Sequence, residues 1–581
     1  MMQFRRQRYL RIALTALIAS VPAAAYAQAQ PVADTVFVNG AIYTVDAART
    51  WASAVAVRDG AIVFVGSDAG ARALTGSRTR VIDLRGRMLL PGFQDSHAHP
   101  SLVPDQSTHV NLNRLRTVAE LRSKIAAFAA AHPASRWVVG DGWDEAAFLP
   151  SGRPNRGLLD DIVATRPVFL TNNSQHQAWV NSAALEAAHI TAATPDPVNG
   201  TIVRDGHGEP TGNLQEAAMA LVRAAIPPPS ADERREALHA AVRKLNELGI
   251  TAIEDALVRP DDIAAYRDLE RHGELTVRAH LCQYFEPDYT DDEAQIRAFV
   301  AIRASLHGRD LQADCVKIVL DGAYGSHTVA LLEPYSDDAN YGTGRLFVEP
   351  ERLTRLVVRL DALGFQVHIH AIGDRTVRTA LNAIGAARAA NGYRGTRPTL
   401  AHLSLIDPVD LPRFRTLGVI ANMTPLWSRG DPWETVFAQR MFGAERAATI
   451  YRTRTLLEQG AILVWGSDWP VTGAAPMDGL ETAVTHRYLG GRDPDGVEDA
   501  VWNPDERLSL EQAIVGYTAA GAYMAHDEQR RGTIEVGKRA DLVVLGRNLF
   551  DTPVLGIHDV TIDLVLLDGR VVYAHSQSVS R

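Results

Sequence analysis

Residues 89–100 read LLPGFQDSHAHP. Two leucines and Pro91-Gly92 lead to Asp95, and then His97 and His99 flank a single alanine. In a strand, side chains at i and i+2 point to the same side. Both imidazoles therefore reach one point in space, which suits a metal ion better than a packed core. What decides the fold is the company this strand keeps.

Outward from it, residues 91–525 have an α/β texture. Apolar strand candidates such as GITAIEDA, LTVRAHLC, CVKIVLDG, GFQVHIHAIGD, TLAHLSL, GVIANMTP and ILVWGSDWPV alternate with helical stretches at 231–248 and 352–363. Repeated strand–helix units in this number predict a closed (β/α)8 TIM-like barrel, with catalytic groups at the C-terminal ends of the strands. Residues 130–215, rich in turns, read as an insertion. Short strands broken by Gly, Asp and Asn occupy 28–90 and return at 526–581, in GTIEVGKRADLVVLG and IDLVLLDGRVVYA. These two ends read as halves of one small β-sandwich domain.

The composition narrows the function. The chain has 581 residues, 46% hydrophobic and 22% charged, with a net charge of −9. That balance argues against nucleic-acid binding, which needs a basic surface. The first 27 residues carry an arginine-rich start, an apolar run and an Ala-Tyr-Ala site, the pattern of a signal peptide cut near Ala27. The apolar run is shorter than the roughly 20 residues of a spanning helix. The expectation is an exported, periplasmic protein with no stable membrane span after signal removal. Cys282 and Cys315 are the only cysteines, so one bridge is allowed and none is required.

Polar residues gather at the predicted strand ends: His97 and His99, Lys317, His368 and His370, His402, and Asp468. Imidazoles and a carboxylate suit a borderline divalent ion such as Zn2+. The ordered set HxH, Lys, His, His, Asp resembles the amidohydrolase superfamily. The stretches LLPGFQDSHAHP, VKIVLDGAYGSHTVALLEPY, HIHAIGDRTV, LAHLSLI, GSDWPV and GTIEVGKRADLVVL resemble its amidohydrolase-3 branch, the YtcJ-like and N-substituted formamide deformylase-like proteins.

The resemblance implies roles. His97 and His99 would hold one metal with Asp468, and His370 and His402 a second, the implied cofactors being two Zn2+ per subunit. Lys317 would bridge them as a carbamate made with CO2, since an ammonium offers no lone pair. An ion pair of Lys317 with Asp321 is the competing reading, and it leaves a one-metal site. His368 would stand behind the ligands or serve structure alone. The metals would bring the pKa of a bound water to about 7, and Asp468 would pass its proton to the leaving nitrogen.

Trp143, His176 and His327 are candidate substrate contacts. Here the family's Asp-Gly-His reads Ser174-Gln175-His176, and His327 stands where relatives usually have arginine. Trp427, Trp433 and Trp469 add aromatic surface near later strand ends. The expected activity is hydrolysis of a C–N bond in a small amide, N-acyl or N-formyl compound. Ester, lactone or carbamate hydrolysis at the same centre, and a non-catalytic periplasmic metal- or ligand-binding protein, are the alternatives. A homodimer is left open.

Overall fold

The computed structural model describes residues 32–103, 109–113, 115–149, 151–306, 308, 310–430, 436, 438–492 and 501–575. The signal peptide expected over 1–27 and Trp433 lie outside them.

Eight parallel strands follow one another in chain order within one sheet: β1 (Phe93–Ala98), β2 (Ile250–Val258), β3 (Arg278–Tyr284), β4 (Leu311–Val319), β5 (Gln366–Ala371), β6 (Thr399–His402), β7 (Ile420–Met423) and β8 (Ile462–Trp465). Every neighbouring pair is parallel. Such strands are buried on both faces and so read as nearly unbroken apolar runs. Those of β1, β5, β6 and β7 are buried at every residue. The edges β8 and β1 meet through the loop after β8. Asp468 N–H donates to His97 O and His99 N–H to Trp469 O, both at 2.7 Å. The result is the nearly closed TIM-like barrel that the strand–helix repeat implies.

The connecting helices show why the units hold. Helix Ala231–Glu247 starts at a capping box of Ser230 and Glu233, which satisfies its first free N–H groups. Helix Pro350–Ala362 opens on a proline and buries Leu353, Leu356, Val357 and Leu360. That i, i+3, i+4, i+7 stripe faces the barrel wall.

Strands from both chain ends share a sheet. Met88–Pro91 pairs antiparallel with Leu542–Leu545, within the order Arg570–Ala574, Ile562–Leu567, Leu542–Leu545, Met88–Pro91, Ala41–Tyr43, Trp51–Ala52. A four-stranded sheet of Ala61–Gly66, Ala54–Arg58, Thr35–Val38 and Arg80–Asp83 lies in the same region. Residues 110–216 form a six-stranded sheet of their own, including Val138–Trp143 and Val168–Asn172. Cys282 of β3 and Cys315 of β4 are register partners and are joined in a disulfide. Among the described residues no helix is long and apolar enough to cross a membrane.

Candidate metal centre

Alternation along the strands carries the site. His97 belongs to β1 and His99 follows it, Lys317 lies in β4, His370 in β5, and His402 ends β6. Asp468 follows β8, at the same C-terminal mouth. Asp468 Oδ1 lies 3.4 Å from His97 Nε2 and 3.1 Å from His99 Nε2. Lys317 Nζ is 3.3 Å from His97 Nε2. The His402 ring centroid is 4.8 Å from that of His97 and 4.3 Å from that of His370. All six residues named from the sequence thus converge.

The electrostatics are those of bases crowded away from water. Burial and the neighbouring Lys317 push His97 well below the usual imidazole range, and burial does the same to His370 and His402. Burial lowers Lys317 to about 8, against the pull of Asp468 and Glu254. Ring nitrogen Nδ1 is buried without a hydrogen-bond partner in both His99 and His402. A cluster of four imidazoles, one amine and one carboxylate with nitrogens left unmet is short of a cation. Its donor types fit a divalent ion of zinc's class.

Two features hold the mouth together. Asp95 accepts from Ser467 N–H at 2.9 Å and Ser467 Oγ–H at 2.5 Å, tying β1 to the loop that carries Asp468. Burial raises that carboxyl to about 6. Gly466 lets the same loop pass His97, since a Cβ there would sit 2.3 Å from His97 Cβ. The suggested Lys317–Asp321 ion pair is not what the side chains form. Asp321 is taken up by the N–H groups of Ala330, Ile372 and Gly373 and by the Thr376 hydroxyl, at 2.6–3.2 Å.

The substrate-contact candidates divide. The His176 ring is 5.5 Å from that of His370, and its Nδ1 bonds Glu216 Oε2 at 2.8 Å. Burial works against the imidazolium, but Glu216 outweighs it and raises the His176 pKa. His327, in the left-handed region at φ 54°, stacks on Tyr341 at 4.0 Å and bonds Asp337 at 3.0 Å. Trp143 departs from the expectation. It is fully buried against Phe148 and Trp179 and donates its indole N–H to Leu170 O. An indole enclosed within the inserted sheet's own core has no face left for a substrate. Trp427 stacks on His402 with centroids 5.1 Å apart and rings 10° from parallel.

Residues 80–573 match the model of the amidohydrolase family, Amidohydro_3. The chain belongs to this family. It is 31% identical over 545 residues to the putative amidohydrolase YtcJ of Bacillus subtilis, covering 93% of this chain and 99% of that protein. It is 28% identical over 554 residues to the N-substituted formamide deformylase of Arthrobacter pascens, covering 94% and 99%. An uncharacterized metal-dependent hydrolase from Pyrococcus furiosus superposes with a TM-score of 0.68 at 26% identity, over 88% of this chain and 99% of that one.

Within this amidohydrolase framework, several participants escaped the strand-end reading. Glu254 in β2 and His280 in β3 lie deeper in the barrel and are both buried. A charged residue inside an apolar parallel strand was the available signal for each. Glu216, which holds His176, ends a strand of the insertion and carried no comparable mark.

Proposed function

We propose that this protein is an exported hydrolase that uses a divalent metal centre to cleave the C–N bond of a small amide, N-acyl or N-formyl compound. The observation that carries the reading is the meeting of His97, His99, Lys317, His370, His402 and Asp468 at the C-terminal mouth of the barrel. The sequence likeness to an N-substituted formamide deformylase supports the bond type. The Cys282–Cys315 disulfide supports export, because such bonds persist in oxidising compartments.

His97, His99 and Asp468 would hold one cation, and His370 and His402 a second. Bound there, such cations supply Lewis acidity toward a water and a substrate carbonyl. As a carbamate, Lys317 would offer an oxygen to each. An amine with its pKa lowered to about 8 has an accessible neutral form. Its lone pair would attack the carbon of CO2, forming an N–C bond as one C=O π pair moves onto oxygen; the displaced N–H proton passes to solvent, and an anionic carbamate with two oxygens remains. Asp468 receives the proton of the attacking water and delivers it to the departing nitrogen, so that amide and water become acid and amine. His176, favoured as a cation by Glu216, presents its remaining N–H to the carbonyl oxygen as negative charge develops there.

The test is a matched panel of N-formyl amides, N-acyl amides and the corresponding esters, run on zinc-loaded protein with and without Asp468→Asn. Amide turnover that is lost in the variant while metal is retained supports the reading. Ester turnover alone moves the assignment to the other bond. No turnover of either class, in protein that holds metal, points to a binding protein.

A further inference from the structure

Below the proposed centre, a line of buried hydrogen bonds runs down the barrel interior. His97 Nδ1 lies 2.8 Å from His368 Nε2. His368 Nδ1 is hydrogen-bonded to Glu254 Oε1. Glu254 Oε2 lies 2.9 Å from His280 Nδ1, and His280 Nε2 lies 2.5 Å from Asp314 Oδ1. The Glu254 and His368 side chains are fully buried, whereas that of Asp314 is 38% exposed. Four barrel strands, β1, β2, β3 and β5, contribute to the line, and β4 ends it.

The direction of each bond follows from what each group is able to donate. His280 sits between two carboxylates and donates from both nitrogens. Burial opposes its charge, yet Asp314 and Glu254 raise it to about 10. Glu254 is correspondingly held ionised and only accepts. His368 must then donate from Nδ1. With its proton on Nδ1, the neutral ring offers Nε2 as an acceptor, 2.8 Å from His97 Nδ1. His97 must in turn carry its proton on Nδ1. Its Nε2 keeps the lone pair, and that nitrogen faces Lys317 at 3.3 Å and Asp468 at 3.4 Å. The disulfide sulfur of Cys282 lies 3.2 Å from Glu254 Oε1 but carries no proton, so it does not compete with His368 for that oxygen.

We infer that Glu254 is a positioning residue. Backed by His280 and Asp314, it acts through His368 to fix the tautomer and orientation of His97, so that His97 Nε2 is presented to the centre as a ligand. The inference rests on the metal-centre reading above for its purpose. Its geometry stands independently of that reading. Groups that orient a metal-binding imidazole in this way commonly change affinity by about 10–100-fold when removed.

The comparison of Glu254→Leu with Glu254→Gln tests it. Glutamine keeps an oxygen to accept from His368, and leucine keeps only the volume. Full-length protein with Zn2+ as the probe metal is titrated against a competing chelator. Leucine is expected to weaken retention about 10–100-fold, with glutamine restoring most of the loss. In metal-free protein, histidine 15N shifts report the His97 tautomer directly, with His97→Gln assigning the signal. Wild type is expected to show the proton on Nδ1, and the leucine variant to lose that preference. Wild-type retention in the leucine variant, or a wild-type proton on Nε2, overturns the inference. If Glu254→Leu does not fold, His368→Leu against His368→Gln makes the same comparison one link nearer to His97. Wild type that holds no zinc overturns the hydrolase reading, and the tautomer measurement still decides this one.

Discussion

The two ends of the barrel treat buried charge in opposite ways. At the N-terminal end, Arg278 at the start of β3 is 4% exposed and bonds Asp541 through Nε at 2.7 Å and Nη2 at 3.0 Å. Asp568 at 2.6 Å and Asp310 complete its surroundings. Burial notwithstanding, these carboxylates raise the guanidinium pKa, and Arg539 and Arg530 pair with Asp568 and Asp310 in turn. At the C-terminal mouth, Asp468 faces His97, His99 and Lys317, Asp321 lies 3.6 Å from His370 Nε2 but is taken up by backbone N–H groups, and burial lowers Lys317, His97, His370 and His402. One end is finished by the protein alone and clamps the barrel to the sheet bearing Asp541. The other is left short of positive charge, which is what a site built around an external cation requires.

That contrast is most exposed to failure at the mouth. Asp468→Asn keeps an oxygen for the metal but removes the proton carrier. Turnover is expected to fall by about 10²–10⁴-fold, measured on the best amide of the panel, with zinc per subunit unchanged and the melting temperature close to wild type. A comparable loss of melting temperature would mean that Asp468 serves structure in the way Asp541 does.

The opposite end should show the opposite profile. Arg278→Met strands Asp541, itself 5% exposed, without its partner. Removing one member of a buried ion pair costs about 3–5 kcal/mol, read here by denaturant unfolding. Turnover per folded molecule should stay at the wild-type level. Lost turnover in correctly folded protein would dissolve the division between a structural end and a working end.

Lys317→Met sharpens the comparison from the other side. Replacing a desolvated amine by an apolar chain of similar length should stabilise the metal-free protein by about 0.5–2 kcal/mol, as relief of a functionally strained site does. Zinc stoichiometry should fall in the same variant. A variant less stable than wild type would show that Lys317 is already satisfied without metal.

How much of this was legible depended on periodicity. The HxH of β1 and the His368–His370 pair of β5 announced inward-facing chemistry because a strand repeats every second residue. The same rule places Cys315 beside Lys317 and His280 beside Cys282, but neither pair repeats one residue type, so neither stands out as HxH does. Glu254 was visible as a carboxylate in an apolar strand, but its partners come from β3 and β5, and no local pattern reports contacts across a barrel. The Trp143 reading failed for a related reason. A tryptophan in a turn-rich insertion reads as a candidate substrate contact, but the inserted sheet has its own core, and this large apolar side chain fills it. The Lys317–Asp321 pairing failed because backbone N–H groups from after β5, remote in sequence, claim the Asp321 carboxylate first.

The smallest effect concerns pH and the line between the two ends. His280 has a folded pKa raised to about 10 from 6.5. The folded state therefore holds a proton that the unfolded chain releases above about pH 6.5. The stability this contributes is complete below that value and fades as pH rises toward 10. Glu254 runs the other way, with its folded pKa lowered to about 2 from 4.5. Its contribution is complete above 4.5 and fades as pH falls toward 2. Together they favour the folded state most between pH 4.5 and 6.5. His280→Gln should flatten the alkaline decline in unfolding free energy between pH 6.5 and 10 and leave the acid limb steeper than the alkaline one. Solvent at the exposed Asp314 end screens part of the effect, so the change in slope is modest. An alkaline limb identical to wild type would show that His280 is neutral in the folded protein, and the line would then carry no fixed charge from the finished end of the barrel toward the unfinished one.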